Sequence, residues 1–149
     1  MENNTKKIHP GSGRRNALTF NKGRQSDDQS INEIKSLIPA DYLRQRDMLI
    51  ECLHLIQDNY KCLKPKYLAA LAELTNLPLT EIYEVASFYA HFDIFKDDDI
   101  APAEITIRVC DSITCEMNGC QSLQKELESN YSTNENIRVV RAPCMGRCH

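Results

Sequence analysis

No stretch of this sequence approaches the roughly 20 consecutive apolar residues that cross a bilayer, which argues against direct membrane insertion. The N-terminus lacks the continuous apolar core of an export signal. Neither a Gly-x-Gly-x-x-Gly run nor a phosphate loop occurs, so these residues carry no nucleotide fingerprint of their own. Positive charge is not in excess. A net charge of −3 gives no global electrostatic case for nucleic acid or for a membrane surface. Tryptophan is absent, but the rest of the composition, 42% hydrophobic and 26% charged, is ordinary for a soluble protein. At 149 residues the chain is about one domain, or a small domain with an appendage.

Cysteine, by contrast, is plentiful. There are seven, an odd number, and without an export signal they point to a reducing compartment, with the cytoplasm as the expected location. Four of them form two close pairs: Cys110 and Cys115 with four residues between, and Cys144 and Cys148 with three between. A thiolate is a soft anionic ligand, and two short dithiolate loops brought together supply four, the set that holds an iron–sulfur cluster or a structural zinc. A disulfide framework fits poorly with the compartment and the odd count. A redox-active pair normally has two intervening residues, and neither pair does. Spacing alone leaves both iron–sulfur and zinc open.

Along the chain, residues 1–30 read as a disordered basic tail. Lys6, Lys7, Arg14, Arg15, Lys22 and Arg24 face only Glu2 before Asp27. Docking of that tail on an acidic partner is the sharper alternative. Residues 31–96 turn helical and read as a bundle of three or four short helices. Leu49, Cys52, Leu53 and Ile56 form one apolar stripe within a helix expected over 43–58. Pro65 suits a first helical turn, with Tyr67, Leu68, Leu71 and Leu74 continuing to Asn76. After Pro78, Thr80 is the expected N-cap of a helix that carries Ile82, Val85, Ala86, Tyr89 and Phe92 on one face. Its aromatic residues, Tyr83, Phe88 and Phe95 among them, read as core and inter-domain packing. His54, His91, Cys52 and Cys62 read as packing residues too.

Residues 97–103, opening on Asp97, Asp98 and Asp99, form a polar linker. The period then changes from helical to alternating. Ile105, Ile107 and Val109 point one way, Thr106 and Arg108 the other, giving a strand over 104–110. A helix over 119–130, with Leu123 and Leu127 inward, and a second strand over 137–141 complete one parallel strand–helix–strand unit. Parallel pairing brings both cysteine pairs to the same sheet edge. Gly146 lets the second loop wrap a cluster and aim amide N–H groups at sulfur, with Arg147 beside it. Cys120 reads as a small buried side chain at a strand–helix junction, with exchange into the ligand set as the lesser alternative.

Three segments then carry a resemblance: Ile82-Tyr83-Glu84-Val85-Ala86-Ser87-Phe88-Tyr89; Ile107-Arg108-Val109-Cys110 with four residues to Cys115; and Pro143-Cys144-Met145-Gly146-Arg147-Cys148. From about residue 42 onward the chain resembles the 24-kilodalton, or E-type, subunit family of NADH dehydrogenases. That resemblance implies an α+β protein in which a helical bundle precedes a thioredoxin-like domain, here 104–149, holding one [2Fe–2S] cluster. It implies Cys110, Cys115, Cys144 and Cys148 as the ligands, and thereby favours iron–sulfur over zinc. Within the family, His54-Leu55-Ile56-Gln57-Asp58 and Tyr89-Ala90-His91-Phe92-Asp93 are most similar to the domain fused ahead of the flavin domain in NAD-dependent formate dehydrogenases of the molybdenum or tungsten type. The implied partners are a flavoprotein subunit or downstream domain that binds FMN and NAD, and a further iron–sulfur or molybdenum/tungsten subunit. The implied role is single-electron transfer, with no general acid, base or nucleophile in this chain. The family's domain continues past its fourth cysteine with two more strands and a helix. The expectation is therefore a thioredoxin-like domain incomplete at its C-terminus, as in a fragment of a longer fusion.

Overall fold

The first helix is set by its cap: the Asp27 carboxylate accepts the Ser30 backbone N–H at 2.9 Å and opens α1 (Asp28–Leu37). That bond, together with the Ser30 hydroxyl, holds the Asp27 carboxyl below its ordinary range. The computed structural model describes residues 24–147. Most of the expected basic tail therefore lies outside the described residues, and α1 begins three positions before the expected start of the bundle.

Three further helices complete the bundle: α2 (Leu49–Tyr60), α3 (Pro65–Thr75) and α4 (Leu79–Phe88). The helix expected from residue 43 begins only at Leu49, because residues 42–48 make two 3-10 turns instead. Pro65 does open α3, where its missing N–H costs nothing. Asn76 closes that helix in the left-handed conformation, which asparagine tolerates. Ile34, Leu53, Ile56, Leu68, Leu71 and Ile82 are fully buried and form the core between the four helices. Cys52 belongs to that core and Cys62, just after α2, is buried too; burial pushes the Cys52 thiol up to about 11.

Two expectations for α4 fail. Its N-cap is Pro78, whose carbonyl accepts the Glu81 N–H at 3.0 Å, so Thr80 lies inside the first turn. The helix also stops at Phe88 and does not carry Tyr89 and Phe92 on its face. Tertiary hydrogen bonds take over the backbone beyond it. The Gln57 amide donates to the His91 carbonyl at 2.7 Å and accepts the Asp93 N–H at 2.7 Å. The Leu63 N–H donates to the Asp93 carbonyl at 2.7 Å, and Leu63 accepts from Phe95 at 3.1 Å. Each backbone group captured this way is unavailable to a helix. Phe92 is buried as expected, but Tyr83 and Tyr89 are exposed and Phe88 is 79% exposed. Those three are not core.

The linker is tied down rather than loose: the Lys64 ammonium donates to the carbonyls of Asp97 and Asp99, at 2.9 and 3.0 Å. Beyond it run β1 (Ile105–Cys110), α5 (Ile113–Met117), α6 (Cys120–Tyr131) and β2 (Ile137–Ala142). The strands pair in parallel, as the strand–helix–strand order predicts, with Ile105 opposite Ile137 and Cys110 opposite Ala142. The short α5 is an addition to the expected order. Leu123, expected inward on α6, is 49% exposed, because within the described residues this helix covers only a two-stranded sheet. The architecture is α+β. Among the described residues no helix is long and apolar enough to cross a membrane.

Two outcomes follow from the core. Leu68→Ala should lower unfolding free energy by about 2–5 kcal/mol, read from urea or guanidinium midpoints. On the cluster-free chain at pH 8, brief iodoacetamide treatment should leave Cys52 and Cys62 unmodified while labelling Cys110, with all three labelled after denaturation. Peptide mass mapping reads this, because a buried thiol whose pKa is raised stays protonated at that pH.

Candidate metal centre

Parallel pairing decides where the cysteines go. Both strands end at the same sheet edge, and the ladder is extended by one bond there, from the Asp111 N–H to the Ala142 carbonyl at 3.1 Å. Cys110 is the last residue of β1, Cys115 rides on α5, and Cys144 stands two residues past the end of β2. Cys148 lies outside the described residues.

Cys110 has the most developed surroundings. Its sulfur is 3.0 Å from the Ser112 hydroxyl, and the Ser112 hydroxyl and N–H, the Cys115 thiol and the Met145 N–H all act on it. These donors favour the thiolate and bring its pKa down to about 7. The Met145 N–H, on the loop leaving β2, thus acts on the sulfur at the end of β1. Within that second loop the Gly146 N–H donates to the Cys144 sulfur at 3.4 Å. Gly146 holds φ +69°, a left-handed conformation in which a side chain is strained. Amide groups aimed at sulfur, expected of this glycine loop, are present.

Ser112 is a site residue the sequence reading passed over. It occupies the N-cap position of α5 but makes no capping bond with its side chain, its hydroxyl being turned to Cys110. A serine two residues after a ligand cysteine and just before a helical turn is the signal that could have found it. Cys120 is buried at the first position of α6, as expected, preceded by Gly119 at φ +85°. With Cys110, Cys115, Leu123, Leu127 and Arg147 it lines a cavity of about 620 Å³.

Among the described residues no three Cys, His, Asp or Glu side chains converge closely enough to hold a metal ion. Cys110 and Cys115 are in contact, and Cys144 is exposed at the same edge. The donor set is nonetheless of the right kind. Soft thiols, one of them already poised to ionise, and N–H groups directed at sulfur are the ligands and outer hydrogen bonds an iron–sulfur cluster requires. His54 and His91 belong elsewhere, ring against ring at 4.8 Å between α2 and the segment after α4.

Comparison with known proteins agrees with this chemistry. The thioredoxin-like [2Fe–2S] ferredoxin family matches residues 34–149. The E-type subunit of NADH-quinone oxidoreductase from Aquifex aeolicus is 33% identical over 112 residues, covering 70% of this chain and 67% of the relative. Its counterpart from Buchnera aphidicola is 29% identical, covering 78% and 68%, and that from Escherichia coli K12 is 29% identical, covering 72% and 66%. The chain thus spans about two thirds of the length of these relatives. With Cys110, Cys115 and Cys144 at one sheet edge and a family match running from α1 through the last cysteine, the chain belongs to the thioredoxin-like [2Fe–2S] ferredoxin family, together with the E-type subunits of NADH-quinone oxidoreductases.

Proposed function

We propose that this chain is a one-electron carrier whose [2Fe–2S] cluster is held by Cys110, Cys115, Cys144 and Cys148. The observation that carries the reading is the placement of Cys110, Cys115 and Cys144 at one edge of the parallel strand pair, in a chain that matches a [2Fe–2S] family over 34–149. When bound, the cluster supplies reversible one-electron redox chemistry. The protein's part is to hold and tune it. Ser112 and Gly146 direct hydrogen bonds at sulfur, which favour the more negative, reduced state. Residues 104–149 act as the cluster-bearing part and residues 31–96 as the docking part, joined through 97–103.

The electron partner proposed is FMN in a flavoprotein subunit or domain that also binds NAD, in a complex of the NADH dehydrogenase type. The relatives' name, NADH-quinone oxidoreductase, supports that context. The NAD-dependent formate dehydrogenase type, with its molybdenum or tungsten subunit, is the alternative setting. Support for it is the packing of the two segments that resemble it, Gln57 bonding His91 and Asp93 while His54 stacks on His91 and Phe92. Docking uses the exposed aromatic end of α4. There Phe88 and Tyr89 border a groove of about 760 Å³ with Leu49, Ile50 and Val85, rimmed by the Arg46–Glu81 ion pair.

Anaerobic reconstitution with iron and sulfide should load about two irons per chain, giving a red-brown protein that bleaches with dithionite and yields a paramagnetic reduced form. Serine at any one of residues 110, 115, 144 or 148 should abolish stable loading, whereas Cys120→Ser should retain it. A colourless chain that takes up zinc and no iron sinks the proposal. Phe88→Ala should leave loading intact and weaken capture by the flavoprotein partner by about tenfold, measured by titration calorimetry.

A further inference from the structure

Side chains alternate along a strand, so Thr106, Arg108 and Cys110 share one face of β1. The parallel register sets Arg138, Val140 and Ala142 beside them on β2. This face meets the segment after α4. Arg108 donates to the His91 carbonyl at 2.9 Å and to the Asp93 carboxylate at 3.3 Å. Arg138 pairs with the same Asp93 oxygen, and its Nε donates to the Thr106 hydroxyl at 2.7 Å. The Asp93 backbone is held in turn by Gln57 and Leu63. All three charged side chains are between 21% and 24% exposed, so water screens them only in part. Two guanidinium groups thus share one carboxylate, leaving a surplus of one positive charge on the strand face that ends at Cys110.

We infer that Asp93 tunes the redox potential at Cys110 by neutralising part of the positive charge that Arg108 and Arg138 place on the ligand-bearing face of β1. The inference rests on the proposed role of Cys110 as a cluster ligand. One-electron reduction, with the electron supplied by a reduced flavin in the complex or by dithionite in the test, adds one negative charge at the thiolate-held centre and breaks no bond. Every uncompensated cation on that face favours the reduced form, and Asp93 limits how many there are. Asp93 is a positioning residue as well, since the same carboxylate fixes both arginines and docks the strands on the bundle.

The test is a potentiometric titration of the reconstituted full chain, read by electron paramagnetic resonance, with iron and sulfide content measured for each variant. In Asp93→Asn two arginines are left uncompensated. The ratio of reduced to oxidised cluster at a fixed poise should rise by up to tenfold, about 59 mV for a one-electron couple. Arg108→Gln removes the surplus, and the ratio should fall. Arg138→Gln should act in the same direction but less, because Arg138 lies opposite Thr106, further from Cys110 along the strand. The double variant Asp93→Asn with Arg108→Gln restores the surplus of one and should return close to wild type. Loosened docking alone would shift the aspartate and arginine variants the same way; that pattern, or no shift in any loaded variant, overturns the inference. If Arg108→Gln does not fold, Arg138→Gln and Asp93→Asn still test the opposed signs. A wild-type chain that takes up no iron fails at the functional reading instead, and removes this inference with it.

Discussion

The structure turns on what Gln57 does to the chain after α4. A buried amide has donors and an acceptor that must find partners, and here one side chain satisfies the carbonyl of His91 and the N–H of Asp93 together. Those bonds end α4, turn the chain toward Leu63, and present the Asp93 carboxylate to Arg108 and Arg138. Burial, then the Arg108 guanidinium and the His54 ring beside it, hold His91 below its ordinary pKa. The bundle and the strand pair meet through charge-assisted hydrogen bonds rather than a shared apolar core. Such bonds are directional, so they fix orientation as well as attraction.

Two residues further along β1 the same economy of contacts serves the cysteines. Parallel pairing with Cys110 opposite Ala142 is enough to place two loops at one edge. The left-handed glycine at 146 then bends the second loop so that its amides face sulfur. The opposite face of β1 behaves differently. Ile107 and Val109 turn toward α6, where Leu123 and Leu127 border an open cavity that reaches Cys110 and Cys120. One face of the strand is thus charged and clamped. The other is apolar and only partly covered within the described residues.

Much of this was legible in the residues. The stripe through Cys52, Leu53 and Ile56, the Pro65 helix start, the alternation in 104–110 and the parallel unit all followed from local periodicity, and each is where it was expected. The placement of three cysteines at one edge was legible too, since strand ends and spacing determine it. Less legible were the end of α4 and the fate of its aromatics. Tyr89 and Phe92 have the right spacing to continue a helix, and only competition from Gln57 and Leu63, distant in sequence, stops it. Ser112 escaped because the short α5 was not expected from the sequence, and the turning of its hydroxyl to Cys110 depends on where α5 sits.

By itself, then, the sequence determined the bundle helices, the two strands and the longer helix between them, because hydrophobic period is a property of short stretches, and three short motifs carried the family resemblance. Tertiary structure alone decided that Asp93 serves two arginines, that α4 stops at Phe88, and that the Ser112 hydroxyl turns to the Cys110 sulfur. Each of those is a contest for a hydrogen-bond partner, and no local pattern records which partner wins.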